Sequence, residues 1–132
     1  NKLWNIARFI VIKTDGKSEA ENAPLAASDQ AGQALLEKLE KIKKEADIDI
    51  EKYNLGQALH TIYDFAWHDF ADKYIEYSKT KSAGEAGPVL SYALVTLLKL
   101  LHPFMPFLTE EIWSYLGHKD KKLLIVESWP TT

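Results

Sequence analysis

Along the middle of the chain His60, Asp64, His68 and Asp72 recur at every fourth position. On a helix that interval lines two imidazoles and two carboxylates into one stripe, the residue types of a metal site or an acid–base pair. A metal-holding bundle needs such groups converging from several helices, and the apolar helix expected to pack centrally offers only Lys99. The stripe is therefore read as a solvated or hydrogen-bonded face, with no metal ligands and no catalytic residues assigned. His102 precedes Pro103 at a helix end, where it can meet terminal carbonyls, and His118 reads as a surface loop residue. Nucleophile elbows, phosphate-binding glycine loops and dinucleotide fingerprints are missing from the sequence. The run Ser78-Lys79-Thr80-Lys81-Ser82 is a poor match to a nucleotide-binding loop and closes a helix rather than following a strand.

The opening segment holds a different chemistry. Arg8 is the one arginine among sixteen lysines and arginines. Its planar fork suits phosphates and base edges and stacks on bases. Asn1, Asn5 and Arg8 share one side of a helix at i, i+4 and i+7. An asparagine amide can pair with a base edge, Trp4 or Phe9 can stack an unpaired base, and Lys2 and Lys13 can reach phosphates. Such a set can read single-stranded RNA. The same residues also suit a surface ion pair on Arg8 and core packing of Trp4 and Phe9.

These residues must be held by helices. Residues 1–13 read as the end of an amphipathic helix with Leu3, Ala7 and Ile10 inward. Asp15 to Ser18 is turn chemistry and the polar stretch to Pro24 a loop. Ser28 or Asp29 caps a second helix whose inward stripe is Leu35, Leu39, Ile42 and Ala46, with the charges of 35–45 on its solvated sides. Asn54 caps a third, with Gln57 reaching back, and that helix runs to about Lys79. Its apolar face is Leu59, Ile62, Tyr63, Ala66, Trp67, Phe70, Tyr74 and Tyr77. Gly87-Pro88 opens a fourth helix, apolar nearly all round from Val89 to Leu101 and stopped by His102-Pro103. Thr109 caps a short fifth, with Leu108 stapled against Trp113 and Gly117 as its exit; Leu123 to Val126 reads as extended. The expected fold is all-α, an antiparallel bundle of about five helices.

Composition bounds the rest. The 132 residues suit one domain, and 46% hydrophobic with 27% charged is ordinary globular composition. No cysteine means no disulfide or thiolate site, which suits a reducing cytoplasm. The net charge of -3 argues against indiscriminate nucleic-acid binding. No apolar stretch is long enough to span a bilayer. A helical pattern already running at Asn1, which is not methionine, suggests a piece of something longer.

Three segments carry a resemblance: NKLWNIARF (1–9), FAWHDFADKYIEYSK (65–79) and LLKLLHPFMPFLTEEIW (97–113). Together they resemble the helical anticodon-binding domain of class I synthetases for valine, leucine and isoleucine, with the valine type matching best. Ala71 stands where that family often has cysteine, and Lys73 where tryptophan is common. The resemblance implies one anticodon-binding domain over 1–132, docking on the tRNA anticodon stem-loop through Asn1, Lys2, Trp4, Asn5, Arg8, Phe9 and Lys13. It further implies a catalytic domain before Asn1 in the same chain, using ATP and magnesium to attach the amino acid. The domain itself then needs no cofactor, and the expected protein is cytoplasmic and monomeric. The alternatives are the same module from a leucine or isoleucine enzyme, or a stand-alone helical protein-interaction domain.

Overall fold

The computed structural model describes residues 2–14, 30–116, 123, 124, 127, 129 and 130. They form five helices: α1 (Lys2–Thr14), α2 (Gln30–Glu51), α3, α4 (Ala83–Leu101) and α5 (Pro106–Ser114). Helix α3 runs without a break through α-helical Leu55–Asp64, π-helical Phe65–Ile75 and a closing α-turn, Glu76–Ser78. Among the described residues there is no strand, and no helix is long and apolar enough to cross a membrane. Asn1, the 15–29 segment with its proposed turn and caps, Gly117, His118, Ile125 and Val126 lie outside the described residues.

The apolar run of α4 dictates the arrangement. Every side chain from Val89 to Leu98 is buried, and Leu100 and Leu101 with them. Each fully buried leucine stabilises the fold by roughly 1.5–3 kcal/mol, so α4 has to be covered on all sides. Helices α1, α2, α3 and α5 all pack on it, and α2 pairs with α3. The inward stripes are those expected: Leu3, Ala7 and Ile10 of α1, and Leu35, Leu39, Ile42 and Ala46 of α2. On α3, Ile62, Ala66, Phe70 and Tyr74 are buried, but Tyr63 is exposed and stacks on the half-buried Trp67 at 3.9 Å.

The π-helical stretch was not legible from periodicity. Its i→i+5 hydrogen bonding brings residues five apart onto one side. Phe65 and Phe70 accordingly both enter the core, parallel to within 4° at 6.5 Å, although in an α-helix they would diverge.

Five local expectations are corrected. Helix α4 starts at Ala83, not at Pro88: the Ser82 carbonyl already accepts the Ala86 N–H at 3.0 Å, and Pro88 sits inside the helix. Asn54 makes no side-chain cap, and Gln57 donates forward to Thr61 Oγ1 at 3.3 Å instead of back. Thr109 does not cap α5, because Pro106 opens that helix three residues earlier, where a missing N–H costs nothing. Instead Thr109 is fully buried; its hydroxyl donates to the Met105 carbonyl at 3.1 Å and meets His102 Nδ1 at 2.8 Å. His102 thus ties the end of α4 to α5 through a hydroxyl rather than through terminal carbonyls. Leu123 and Leu124 are not extended strand; Leu124 is buried and its N–H donates to Glu110 Oε1 at 2.8 Å.

Lys43 breaks the reading of the α2 charges as wholly solvated, for it is only 3% exposed. Its Nζ lies 2.6 Å from Glu40 Oε1 and 3.0 Å from the Tyr92 hydroxyl of α4. Burial opposes the charge, but the bonds to Glu40 and Tyr92 outweigh it and hold the ammonium above the usual lysine value of 10.5. A raised value means that its stabilisation is complete below 10.5 and is lost only as pH climbs past the elevated one. The turn after α2 is a second special point. The Asn54 N–H bonds Asp49 O at 2.7 Å and the Tyr53 N–H bonds Ile50 O at 3.0 Å, the pattern of a Schellman cap. Its left-handed residue, usually glycine, is Tyr53 at φ 58°.

Two stability predictions follow from these points. Lys43→Met should leave urea stability within about 1 kcal/mol, because the charge and its desolvation vanish together and the Tyr92 hydroxyl still reaches Glu40, whereas Lys43→Ala should lose about 2–3 kcal/mol. Tyr53→Gly should raise stability by about 1 kcal/mol in the same assay, by removing the left-handed strain.

Candidate nucleic-acid interface

Helix α1 turns about 100° per residue, so its thirteen positions sort into an inner stripe, an outer ridge and two flanks. Leu3, Ile6, Ala7 and Ile10 fill the inner stripe and are buried. The ridge opposite is Asn5, Arg8 and Ile12, all exposed, with Ile12 at 73%. Neither Asn5 nor Arg8 has a hydrogen-bond or ion-pair partner among the described residues, so amide and guanidinium are both available to a ligand.

One flank faces α5. Trp4 meets Tyr115 edge-on, their ring centroids 5.4 Å apart, and Val11 continues that side. Between the two helices lies a groove of about 330 Å³, walled by Trp4, Val11, Ile12, Ile112 and Tyr115, with Arg8 on its rim. Apolar walls with one or two polar groups at the mouth are what a flat aromatic ligand such as a nucleobase requires. Tyr115, itself 60% exposed, and Ile112 complete the groove. Sequence reasoning assigned Ile112 only to the α5 cap motif and did not consider Tyr115, since only the packing of α5 on α1 brings them there.

The other flank faces α3, and there the expected phosphate ligands are engaged internally. Lys2 Nζ pairs with Asp72 at 3.0 Å and donates to the Trp67 carbonyl at 3.4 Å. Lys13 Nζ donates to the Lys81 carbonyl at 2.9 Å and sits 5.8 Å from the Phe9 ring centre. Phe9 is half-buried against the core, on the side of the ridge away from Trp4. The structure thus brings Trp4 and Arg8 to one groove, leaves Asn5 exposed on the ridge beside it, and sets Lys2, Phe9 and Lys13 along the far flank; Asn1 lies outside the described residues.

The histidine stripe has a plain electrostatic account. His68 lies 3.6 Å from Asp64 and 3.4 Å from Asp72, and all three side chains are more than half exposed. Among the described residues no group of three or more His, Asp or Glu is arranged to hold a metal ion.

An all-α bundle that presents this ridge belongs to a known class. Residues 32–132 match the profile of the anticodon-binding domain of tRNA ligase, and the chain belongs to that family. Over 99% of its length it is 37% identical to the valine–tRNA ligase of Synechocystis sp. and 35% identical to that of Bacillus thuringiensis. It is 37% identical to the valine–tRNA ligase of Listeria innocua over 98% of its length. The family profile begins after α1, but the alignments with the ligases take α1 in. The chain spans about one-sixth of the length of these relatives, 15–16%. The stretch that the profile matches is the anticodon-binding domain.

Hydrogen bonding from Lys2, with the Lys2 charge and His68 adding to it, holds the Asp72 carboxyl below the ordinary 3.8. A lowered value means that the pair is intact above 3.8 and is lost only as pH falls through the depressed value. Carboxyl-carbon NMR should therefore show the Asp72 midpoint moving up toward 3.8 in Lys2→Met; an unmoved midpoint would remove Lys2 as the cause.

Proposed function

We propose that the chain is a single domain that reads the anticodon stem-loop of valine tRNA for a valine–tRNA ligase. The catalytic domain of the same polypeptide, using ATP and magnesium, performs the attachment; the domain binds no cofactor of its own. The assignment to valine, over leucine or isoleucine, is supported by relatives named as valine–tRNA ligases at 34–37% identity across almost the whole chain. Translation chemistry and a cysteine-free sequence both suit a monomeric cytoplasmic enzyme.

The observation that carries this reading is the unpartnered ridge of α1. Its lone guanidinium and an amide stand outward, the guanidinium on the rim of an apolar groove. In this reading an unpaired anticodon base lies in the groove against Trp4 and Tyr115, while Arg8 and Asn5 donate to base edges or to the adjoining phosphate. Lys2, Phe9 and Lys13 border the same RNA on the α3 side, and Asn1 is assigned to the same RNA-binding set. The net charge of -3 implies weak binding by the domain alone, so the tRNA grip is shared with the rest of the enzyme.

Arg8→Ala in the full-length ligase should lower kcat/KM for the cognate tRNA by about 1–3 kcal/mol of binding, with amino-acid activation unchanged. Charging at the wild-type rate would strike Arg8 from the interface.

A further inference from the structure

We propose that Lys13, Lys79 and Lys81 form a second RNA site, one that holds the phosphate backbone of the stem without regard to sequence; it rests on the tRNA-reading assignment above. The turn that closes α3 has no role in the anticodon-reading surface, yet the fold sets it against the end of α1. Lys13 and Lys79 approach the same Phe9 ring, at 5.8 and 5.9 Å from its centre. Lys81 lies 5.5 Å from the Tyr77 ring, and its carbonyl is the acceptor that fixes Lys13 at 2.9 Å. Among the described residues one carboxylate, Glu76, pairs with the three ammoniums, at 2.9 Å from Lys79. That leaves two positive charges uncompensated on a chain whose total is -3.

Like charges gathered on one patch repel, and a polyanion relieves that repulsion by displacing its own counterions. Lysine is suited to this task, because its ammonium is a point charge that meets phosphate from any direction. Arg8 lies on the neighbouring ridge of α1, so one strand can touch the groove and the lysines together.

Charge elsewhere sets the direction of the strand. Glu45, Asp47, Asp49 and Glu51 crowd the C-terminal end of α2, where the helix dipole already disfavours them and no basic residue occupies the last turn. That end packs beside Leu55, Leu59 and Phe104, whereas the start of α2 lies beside Tyr74 and Tyr77. Acids and lysines therefore occupy opposite ends of the bundle, and RNA lying along α1 is drawn toward the 79–81 turn and repelled from the other end.

The test uses the 132-residue chain and fluorescence anisotropy with two RNAs: the anticodon stem-loop of a valine tRNA, and the blunt stem duplex without its loop. The double variant Lys79→Gln/Lys81→Gln should flatten the log–log salt dependence by about 2 and weaken both RNAs by about tenfold. Lys79→Arg/Lys81→Arg should restore binding. Arg8→Ala should weaken only the stem-loop, and Lys44→Gln/Lys52→Gln, which removes equal charge from exposed positions on α2 and its turn, should change neither RNA appreciably. Wild-type binding by the 79/81 variant, or equal losses from the 44/52 control, would overturn the site. Losses in the 79/81 variant with none in Arg8→Ala would instead overturn the groove and leave the lysine site standing.

Discussion

Helix α4 has no polar side to offer water, and that constraint organises the molecule. A segment buried from Val89 to Leu98 on every face has to be enclosed, and four other helices do it. Each covering helix then has one side committed inward and the remainder free for chemistry. On α1 the committed side is Leu3, Ile6, Ala7 and Ile10, which forces Asn5 and Arg8 outward. The ridge is thus a geometric consequence of what α4 hides, and its amide and guanidinium are held on a rigid element rather than a loop. Rigid placement matters because base recognition depends on donor positions fixed to a fraction of an ångström.

Polar groups within the bundle obey a strict rule. Among the described residues no buried side-chain nitrogen or oxygen lacks a partner. The Lys43–Tyr92–Glu40 cluster joins α2 to α4, and the His102–Thr109 contact joins α4 to α5. Both tie helices whose apolar surfaces alone would tolerate sliding, so they serve register as much as stability. Surface charge is arranged for a different end, with acids at the close of α2 and lysines at the close of α3. A near-neutral total conceals this polarity.

Much of this was legible in the sequence because apolar spacing reports helices directly. The inward stripes of α1 and α2 and the burial of α4 followed from residue type and period, and the outward placement of Asn5 and Arg8 followed from those stripes. Cap positions were not legible in the same way. Asn54 stands at the start of its helix yet makes no side-chain cap, whereas the helices of Pro88 and Thr109 open earlier, at Ala83 and Pro106, and leave those two residues inside. Lys43 was missed because its partner Tyr92 lies forty-nine residues away on another helix. Tyr115 and the 79–81 turn were missed for the same reason, since their significance comes only from packing against α1. Chemistry set by local spacing can be read from one segment, while chemistry set by neighbours needs the fold.

The π-helical stretch of α3 also acts as a gear between the two halves of that helix. Each wide turn delays the rotation of everything after it, so Phe65 and Phe70 mesh with the core while Lys79 emerges on the side where α1 ends. Removing one residue from 65–75 would swing the closing turn around the helix axis and carry its lysines away from Phe9, although no residue outside the deletion had changed. The length of this stretch is therefore as much a determinant of the molecule's surface as any side chain exposed on it.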